Sequence, residues 1–368
     1  IKGNVGDAAL ISSIEILLNE QNINFEYLNS REKNPNFKIS KFNGLIYFGN
    51  DTIAYYKINE NLINKFIKVN KPVFIINLSF GEKIVNDYFL KISKYEKLYL
   101  WARDEYSYSL LKKYANFKNK ILLTTDIAYK LPHYINKVED WINKRTKKII
   151  AINVHQDFSK YNQEINNAIL NFLEKYKDSY DYIFIPHDSR KKTEINTNRN
   201  LYEKFQDNSL LLYCVEPSHE ITILKCVYAV VTCRMHLGIL SLGSGKPAII
   251  IEYNGVKAKG QLKHWGLEND LLINPETINK LSEKFKNLEL NYNEIIYKIS
   301  QRKENIIDMS RKSFKELSIF SSNLNKHKNN KENFLPLKSF KDFIKYMMQK
   351  YFRIIYKNNK FLSFYINF

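Results

Sequence analysis

The stretch 214–268 reads CVEPSHEITILKCVYAVVTCRMHLGILSLGSGKPAIIIEYNGVKAKGQLKHWGLE. It contains two short apolar runs, 228–232 and 248–251, which have the length of buried parallel strands, and a Gly-rich helical segment between them. Arg234 and His236 fall where the first strand gives way to the helix. Because ligands of α/β sheets bind at the carboxyl ends of the strands, the stretch predicts both a strand–helix–strand unit and a site.

The same alternation of short apolar and amphipathic runs extends over the chain. Two successive halves of this kind predict an α/β fold of two Rossmann-like, doubly wound domains that face one another across a cleft. We predict an N-terminal domain at 1–140 and a C-terminal domain at 147–322. Further strands are predicted at 44–48, 72–77, 97–101, 122–128, 148–154, 182–185 and 210–215.

Composition limits the class of protein. The 368 residues exceed one ordinary core, and 44% are hydrophobic, which is ample for two packed domains. No apolar run reaches the roughly 18 residues of a membrane span. Three cysteines without C-x-x-C spacing argue against a disulfide framework or a zinc site and fit a reducing cytoplasm. Motifs of P-loop hydrolases, zinc proteases and serine hydrolases are missing from the sequence.

The charge balance is strongly basic. Lys and Arg outnumber Asp and Glu by 57 to 38, which gives a net charge of +19. Such an excess favours an anionic partner such as nucleic acid, acidic lipid or a phosphorylated substrate. A genome that favours Lys, Asn and Ile codons explains it equally well.

The C-terminal segment 339–368 is predicted to be a basic amphipathic helical tail behind a polar linker at 323–338. Between Ser339 and Lys357, apolar and aromatic residues recur at helical spacing and basic residues fill the other face. This pattern suits an anionic membrane surface. A helix docked on the body of the protein and a dimer contact are the alternatives.

Polar residues next to predicted elements are candidates for a site. Asn4, Gly6 and Asp7 precede a helix whose free N–H groups suit an anion, although an ordinary turn has the same composition. Arg103 follows a strand and either reaches a ligand or forms a surface ion pair with Asp104. His187 also follows a strand, where it acts in catalysis, binds a substrate hydroxyl or caps the turn.

Several short motifs follow one another along the chain. They are Asn4-Val5-Gly6-Asp7, Arg103-Asp104 with Ser107, Pro186-His187-Asp188, Pro217-Ser218-His219-Glu220 and Arg234-Met235-His236, followed by Gly245-Lys246-Pro247. This ordered set, over about residues 3–270, resembles that of the polysaccharide pyruvyl transferase family. The resemblance implies a fold like that of the glycosyltransferase B class with the site in the interdomain cleft.

The resemblance implies transfer of the enolpyruvyl unit of phosphoenolpyruvate onto two sugar hydroxyls, giving a cyclic ketal and phosphate. Phosphoenolpyruvate is then a co-substrate, and neither a cofactor nor a metal is implied. Arg103 and Arg234 would grip its phosphate and carboxylate, and His236 would protonate its methylene carbon. Asp7 would receive a proton from the acceptor hydroxyl or orient that hydroxyl. Lys257, Asn4 and Gly6 are further candidates for binding the donor, and His187, Asp51 and Glu220 for binding the acceptor or lining the cleft.

The implied acceptor is a sugar of a bacterial capsule or exopolysaccharide, or a lipid-linked oligosaccharide precursor. We therefore expect a cytoplasmic protein held peripherally on the inner face of the plasma membrane by residues 339–368. No oligomeric state is predicted. Two loops, at Gly49-Asn50-Asp51 and Asn77–Gly81, lack the glycines that the family usually shows.

Two other functions compete. A glycosyltransferase of the same fold that uses a nucleotide sugar would account for the altered loops. A non-enzymatic basic protein that binds nucleic acid or lipid would account for the +19 balance and the tail. Nucleic acid is the less favoured partner, because no nucleic-acid-binding motif accompanies the charge.

Overall fold

The computed structural model describes residues 4–29, 39–49, 58–82, 85–114, 120–131, 139–155, 161–188, 191–213, 216–252, 257–325 and 361–367. The chain divides into two compact units. Unit 1 consists of Ile14–Thr125 and Met309–Phe368, with Ile1–Lys2, and unit 2 of Gly3–Ser13 and Asp126–Asp308.

The described strands alternate with helices along most of the chain, as predicted. The strands are β1 Asn24–Asn29, β2 Gly44–Gly49, β3 Val73–Leu78, β4 Leu98–Ala102, β5 Lys120–Leu123, β6 Lys148–Asn153, β7 Tyr180–Phe184, β8 Ser209–Leu211, β9 Ala229–Thr232, β10 Ala248–Ile251, β11 Leu272–Ile273 and β12 Phe361–Asn367.

The described helices are named here by their bounds. The α-helices are Val5–Glu20, Glu60–Lys68, Leu90–Ile92, Glu105–Lys113, Asp140–Asn143, Asn162–Tyr176, Lys192–Lys204, Pro217–Cys226, Met235–Gly243, Lys257–Trp265, Glu268–Leu271, Leu281–Leu290 and Tyr292–Asn325. A π-helical turn covers Val85–Phe89, and 3₁₀ turns cover Ile39–Lys41, Ile127–Lys130, Gln206–Asn208 and Pro275–Lys280.

Unit 1 is built on a six-stranded sheet of order β1-β12-β2-β3-β4-β5, in which β2 to β5 are parallel. All six residues of β3 are buried, as expected for a strand covered on both faces. One face packs on the apolar sides of Glu60–Lys68 and Glu105–Lys113, which bury Leu62, Phe66 and Leu111 in the core.

The prediction of a helical tail over 339–368 is wrong for its last part, because 361–367 forms β12. This strand pairs antiparallel with β1 on one side and β2 on the other. Its sequence, FLSFYIN, is rich in residues that favour strands. Within the sheet it supplies hydrogen-bond partners to two neighbouring strands. The predicted amphipathic segment 339–357 lies outside the described residues.

Unit 2 is built on a parallel sheet of order β11-β10-β9-β6-β7-β8. The chain runs outward from β6 to β8 and then returns to β9 on the other side of β6. The order therefore reverses between β6 and β9, and the carboxyl ends of these two strands form a topological switch point, where α/β sheets bind ligands. This is the doubly wound α/β architecture that the sequence predicts.

The helix Met235–Gly243 follows β9 at this switch point. Its residues from His236 to Gly243 are all buried, as is typical of an apolar helix packed inside a domain. A Cβ atom at Gly238 would lie 2.4 Å from Cδ1 of Ile250, so the missing side chain of this glycine lets the helix pack closely against β10. The close packing places the start of the helix, with Arg234 and His236, at the edge of the sheet.

The unit boundaries differ from the predicted domain bounds. Residues 3–13 group with unit 2 instead of the N-terminal domain, since the amide of Val5 donates to the carbonyl of His187 at 3.1 Å. The helix Tyr292–Asn325 runs into the predicted linker, and its part from Met309 belongs to unit 1.

Candidate active site

Arg234 lies at the N-cap position of the helix Met235–Gly243. Its amide donates to Oγ1 of Thr232 at 2.8 Å, which turns the chain sharply out of β9. Its guanidinium contacts one oxygen, Oε2 of Glu194, through both Nε, at 3.0 Å, and Nη2. The Arg234 side chain is 16% exposed and that of Glu194 is fully buried, so this is a largely desolvated ion pair.

Glu194 contacts residues at the ends of three strands. It lies in the first turn of Lys192–Lys204, where the helix dipole favours a carboxylate. While Oε2 holds Arg234, Oε1 accepts from Asn153 Nδ2 at 2.8 Å and from the amides of His187 and Asp188 at 2.8 and 3.2 Å. One carboxylate thus joins the ends of β6, β7 and β9.

His236 is the second residue of its helix and is 5% exposed. Its Nε2 lies 3.5 Å from Oδ2 of Asp126, which is ion-pair distance without the geometry of a hydrogen bond; among the described residues Nε2 has no hydrogen-bond partner. On the other side of the ring, a Cβ atom at Gly6 would lie 2.8 Å from Cβ and Cγ of His236 and 2.9 Å from Nδ1. The ring is therefore packed between a buried carboxylate and the backbone of Gly6.

The helix Val5–Glu20 begins at this ring. Asn4 caps it, since Oδ1 of Asn4 accepts from the amide of Asp7 at 3.1 Å. Asn4 also forms a β-bridge with Asp188. Asn4, Gly6 and His236, which the sequence placed in one site, are thus brought together in unit 2. The positive end of the helix dipole lies beside the imidazole, an arrangement suited to an anion. Asp7 lies in the same first turn and is partly buried.

His187 forms a second buried pair. Its Nδ1 lies 3.0 Å from Oε1 of Glu220, and both side chains are essentially inaccessible. Burial lowers the pKa of His187, but the charge and hydrogen bond of Glu220, with Glu194 nearby, outweigh it, so the pKa is raised above its ordinary value. Among the described residues Nε2 of His187 has no hydrogen-bond partner. His187 and Glu220, both predicted for the site, are thus direct partners.

Lys257 begins the helix Lys257–Trp265, and its charge is close enough to Glu252 to lower the pKa of that carboxyl. The carboxylate of Glu252 accepts from the amides of Ala258 and Lys259 at 2.8 and 3.0 Å. Burial raises the pKa of Glu252 to about 7, against these hydrogen bonds and the charge of Lys257, which lower it. Asp51, also predicted for the site, lies outside the described residues.

Arg103 belongs to unit 1 and follows β4. It is fully buried, and its Nε donates to Oγ of Ser79 at 3.1 Å. Ser79 donates to Asp104 at 2.7 Å, and Asp104 caps the helix Glu105–Lys113 through the amide of Ser107. This burial contradicts the interpretation of Arg103 and Asp104 as a solvent-exposed ion pair. The network holds Arg103 at the carboxyl end of its strand.

The arrangement in unit 2 combines a guanidinium, an imidazole and a helix N-terminus at one switch point. The first and last bind anions, and an imidazole delivers and accepts protons near neutral pH. Within the residues that the structure describes, no group of three or more histidine, cysteine and acidic side chains is placed to hold a metal ion.

Comparison with family models identifies the family of the chain. The model described as polysaccharide pyruvyl transferase matches residues 4–255, more than half of the chain and nearly all of the site in unit 2. The chain belongs to the polysaccharide pyruvyl transferase family. The protein is therefore a transferase, and its family implies a polysaccharide or sugar acceptor. Comparison with curated proteins finds no match.

Solved structures similar to this pyruvyl transferase family member support the fold. A putative UDP-N-acetylglucosamine 2-epimerase from Listeria monocytogenes has a TM-score of 0.52 at 12% identity, covering 79% of this chain and 76% of its own. The S. aureus MnaA–UDP co-structure has 0.51 at 13%, covering 89% and 82%. A glycosyltransferase from Rickettsia africae has 0.50 at 15%, covering 88% and 95%. At these identities the likeness shows the glycosyltransferase B type of fold alone.

The sequence of this family member did not reveal the two buried carboxylates, Glu194 and Asp126, that lie beside Arg234 and His236. Glu194 lies in the polar segment KKTEINTNRN, which reads as a solvated helix, and Asp126 lies between a strand and a 3₁₀ turn. Both are fully buried, a property that a single sequence does not reveal. The available signal was position, since Asp126 lies three residues after β5 and Glu194 lies in the first turn of the helix that follows β7.

Proposed function

We propose that the protein transfers the enolpyruvyl unit of phosphoenolpyruvate onto two hydroxyls of a sugar, forming a cyclic ketal and releasing phosphate. The observation that carries the proposal is the placement of Arg234 and His236 two residues apart at the switch point, each beside a buried carboxylate. The family supports the reaction class.

The chemistry needs a cation and an acid. Arg234 binds the phosphate or the carboxylate of phosphoenolpyruvate through paired N–H groups. His236 protonates the methylene carbon, and the first sugar hydroxyl attacks the resulting oxocarbenium carbon and loses its proton. The C–O bond to phosphate then breaks, and the second hydroxyl adds to the same carbon. Of the two hydroxyl protons, one replaces the proton given to carbon and the other leaves with phosphate, so the reaction balances.

The remaining roles rest on the resemblance. Arg103 binds the other anionic group of the donor, and Asp7 accepts the proton of the attacking hydroxyl. Lys257, Asn4 and Gly6 complete the donor site, while the buried pair of His187 and Glu220 binds the acceptor or lines the site. We also propose that the acceptor is a precursor of a capsule or exopolysaccharide, carried on a lipid at the inner face of the plasma membrane.

The direct test is phosphate release from phosphoenolpyruvate with a panel of sugar acceptors, with the ketal methyl group followed by NMR. His236→Ala should lower kcat by about 10²–10⁴-fold, because a general acid contributes that much. His219→Ala is the matched control, since His219 is a partly exposed histidine paired with Glu139 at 3.3 Å. Equal turnover by wild type and His236→Ala would contradict the mechanism. Turnover of a nucleotide sugar without phosphate release from phosphoenolpyruvate would show a glycosyltransferase instead.

A further inference from the structure

We propose that Glu194 is the positioning residue of the donor site: it fixes the guanidinium of Arg234 and ties that residue to the loop after β7. The inference rests on the proposed function, since it concerns how the anionic donor is held.

The contact with Arg234 uses one edge of the guanidinium. Nε and Nη2 both donate to Oε2 of Glu194, which occupies two of the five N–H groups of the side chain. A carboxylate or phosphate of the donor binds arginine best through two parallel N–H groups. The two contacts with one carboxylate oxygen fix the plane in which the guanidinium would meet such a ligand.

The other oxygen fixes Glu194 itself. Oε1 accepts from Asn153 Nδ2 and from the amides of His187 and Asp188. Asn153 ends β6, and the two amides belong to the turn after β7. Because these three donors come from the parallel sheet and its turn, the carboxylate has little freedom to rotate. Arg234 is thereby held in one place.

Glu194 orients the guanidinium of Arg234 and does not add favourable charge to the donor site. A carboxylate next to Arg234 offsets the positive charge that attracts a trianionic donor, so charge alone would disfavour Glu194 at this position. Glu194 is fully buried, and a buried carboxylate needs several donors to be tolerated. Burying the carboxylate is unfavourable, but it leaves the guanidinium ordered before the donor binds, which lowers the entropy lost on binding.

The test uses three variants in the full chain. Glu194→Gln keeps the shape but cannot accept hydrogen bonds on both sides, and Glu194→Asp keeps the charge on a shorter side chain. Glu203→Gln is the matched control, because Glu203 is an exposed carboxylate on the same helix. We expect Glu194→Gln to lower kcat/KM for phosphoenolpyruvate by about 10²-fold, mainly through KM, since misplacement of a binding group has that cost. Glu194→Asp should recover part of the loss, and Glu203→Gln should equal wild type.

A double-mutant cycle with Arg234→Lys separates positioning from folding. If Glu194 acts through Arg234, either Glu194 variant should add little to the loss in kcat/KM caused by Arg234→Lys. Additive losses would overturn the inference, and so would variants with lowered thermal stability but a wild-type KM. If Glu194→Gln does not fold, the cycle with Glu194→Asp decides in the same way. A wild type that neither binds phosphoenolpyruvate nor releases phosphate from it would overturn the proposed function and the inference together, whereas an active wild type with additive losses overturns the inference alone.

Discussion

Glycine at position 6 lets the first helix reach the ring of His236. Any larger residue brings a Cβ atom to 2.8 Å from that ring, a distance that side chains do not tolerate without a shift. The backbone of Gly6 therefore packs directly against the ring of the proposed acid, and a side chain at this position would prevent that contact.

Gly6→Ala tests this contact. We expect the helix and the ring to separate, at a cost of about 1–3 kcal/mol for overpacking, and kcat/KM to fall by about 10²-fold because the proposed acid is displaced. Gly243→Ala is the control, since its Cβ would meet Cδ1 of Tyr129 at an ordinary 3.4 Å. It should keep full activity and gain up to about 1 kcal/mol in stability from helix propensity. Wild-type kinetics for Gly6→Ala would exclude a role for the close approach.

The pair of His187 and Glu220 makes stability depend on pH. The pKa of His187 is raised above 6.5 by Glu220 and Glu194, against burial and Arg234, which lower it. The folded protein therefore binds this proton more tightly than the unfolded chain does. Its stabilisation is fully present below pH 6.5 and is lost as the pH rises through the raised pKa.

Glu220→Gln should reverse this trend for His187. Without the carboxylate, burial dominates and favours the neutral ring, so the free energy of unfolding of the variant should fall as the pH drops below 6.5. Removing one partner of a buried pair should also cost about 3–5 kcal/mol. Urea unfolding of both proteins between pH 5.5 and 8.5 measures the difference. Glu139→Gln, which breaks the partly exposed pair with His219, should leave the curve nearly parallel to wild type. Parallel curves for Glu220→Gln would refute the assignment.

The strand β12 is an element that the pattern of the tail did not reveal. It lies between β1 and β2, and Phe364 is paired with Tyr27 on one side and with Ile46 on the other. A strand in this position has neighbours for both of its edges, so its backbone N–H groups are needed by the sheet.

Phe364→Pro should therefore destabilise unit 1. Proline removes a donor from a central strand, which is not tolerated there, and the carbonyl left without its partner should cost about 1–3 kcal/mol. Thermal unfolding measures the effect. Asn330→Pro, in the segment predicted to be a linker, is the control and should leave the midpoint unchanged. If both variants unfold at the wild-type temperature, β12 does not contribute to the sheet.

The net charge of +19 concerns the molecule as a whole. None of the described helices combines the length and the apolar character needed to cross a bilayer. The proposed peripheral association rests on the basic amphipathic pattern at 339–357, and its test must spare β12. Deleting the tail would remove a strand of the sheet together with the basic residues, so substitutions are the cleaner change.

Replacing Lys341, Lys345, Lys350, Arg353 and Lys357 by Gln should abolish sedimentation with anionic vesicles. Each basic residue near such a surface contributes about 1 kcal/mol, so the affinity should fall by more than about a thousandfold. The control has the same net charge, with Gln at Lys280, Lys284, Lys286, Lys298 and Lys312. If both variants bind the vesicles equally, general charge and not the tail holds the protein there.

Local pattern was enough for the fold class. Each predicted strand overlaps a described one, because a buried parallel strand is a short apolar run whatever its neighbours are. Of the three strands that were missed, β1 and β11 lack such a run, since β1 reads NFEYLN and β11 has two residues, and β12 was predicted to be part of a helical tail. The ordered motifs likewise identified the family and placed Arg234, His236, Gly6 and Asn4 in one site.

What the sequence by itself determined is the order of elements, the family and the residues with distinctive chemistry, since each is written in local composition and spacing. Only the tertiary structure decided which partners these residues have: Glu194 for Arg234, Asp126 for His236, and Glu220 for His187. It also assigned residues 361–367 to the sheet of unit 1. The physical reason is that burial and pairing depend on residues far apart in the chain. An exposed carboxylate and one that distant residues bury can therefore lie in the same kind of local sequence.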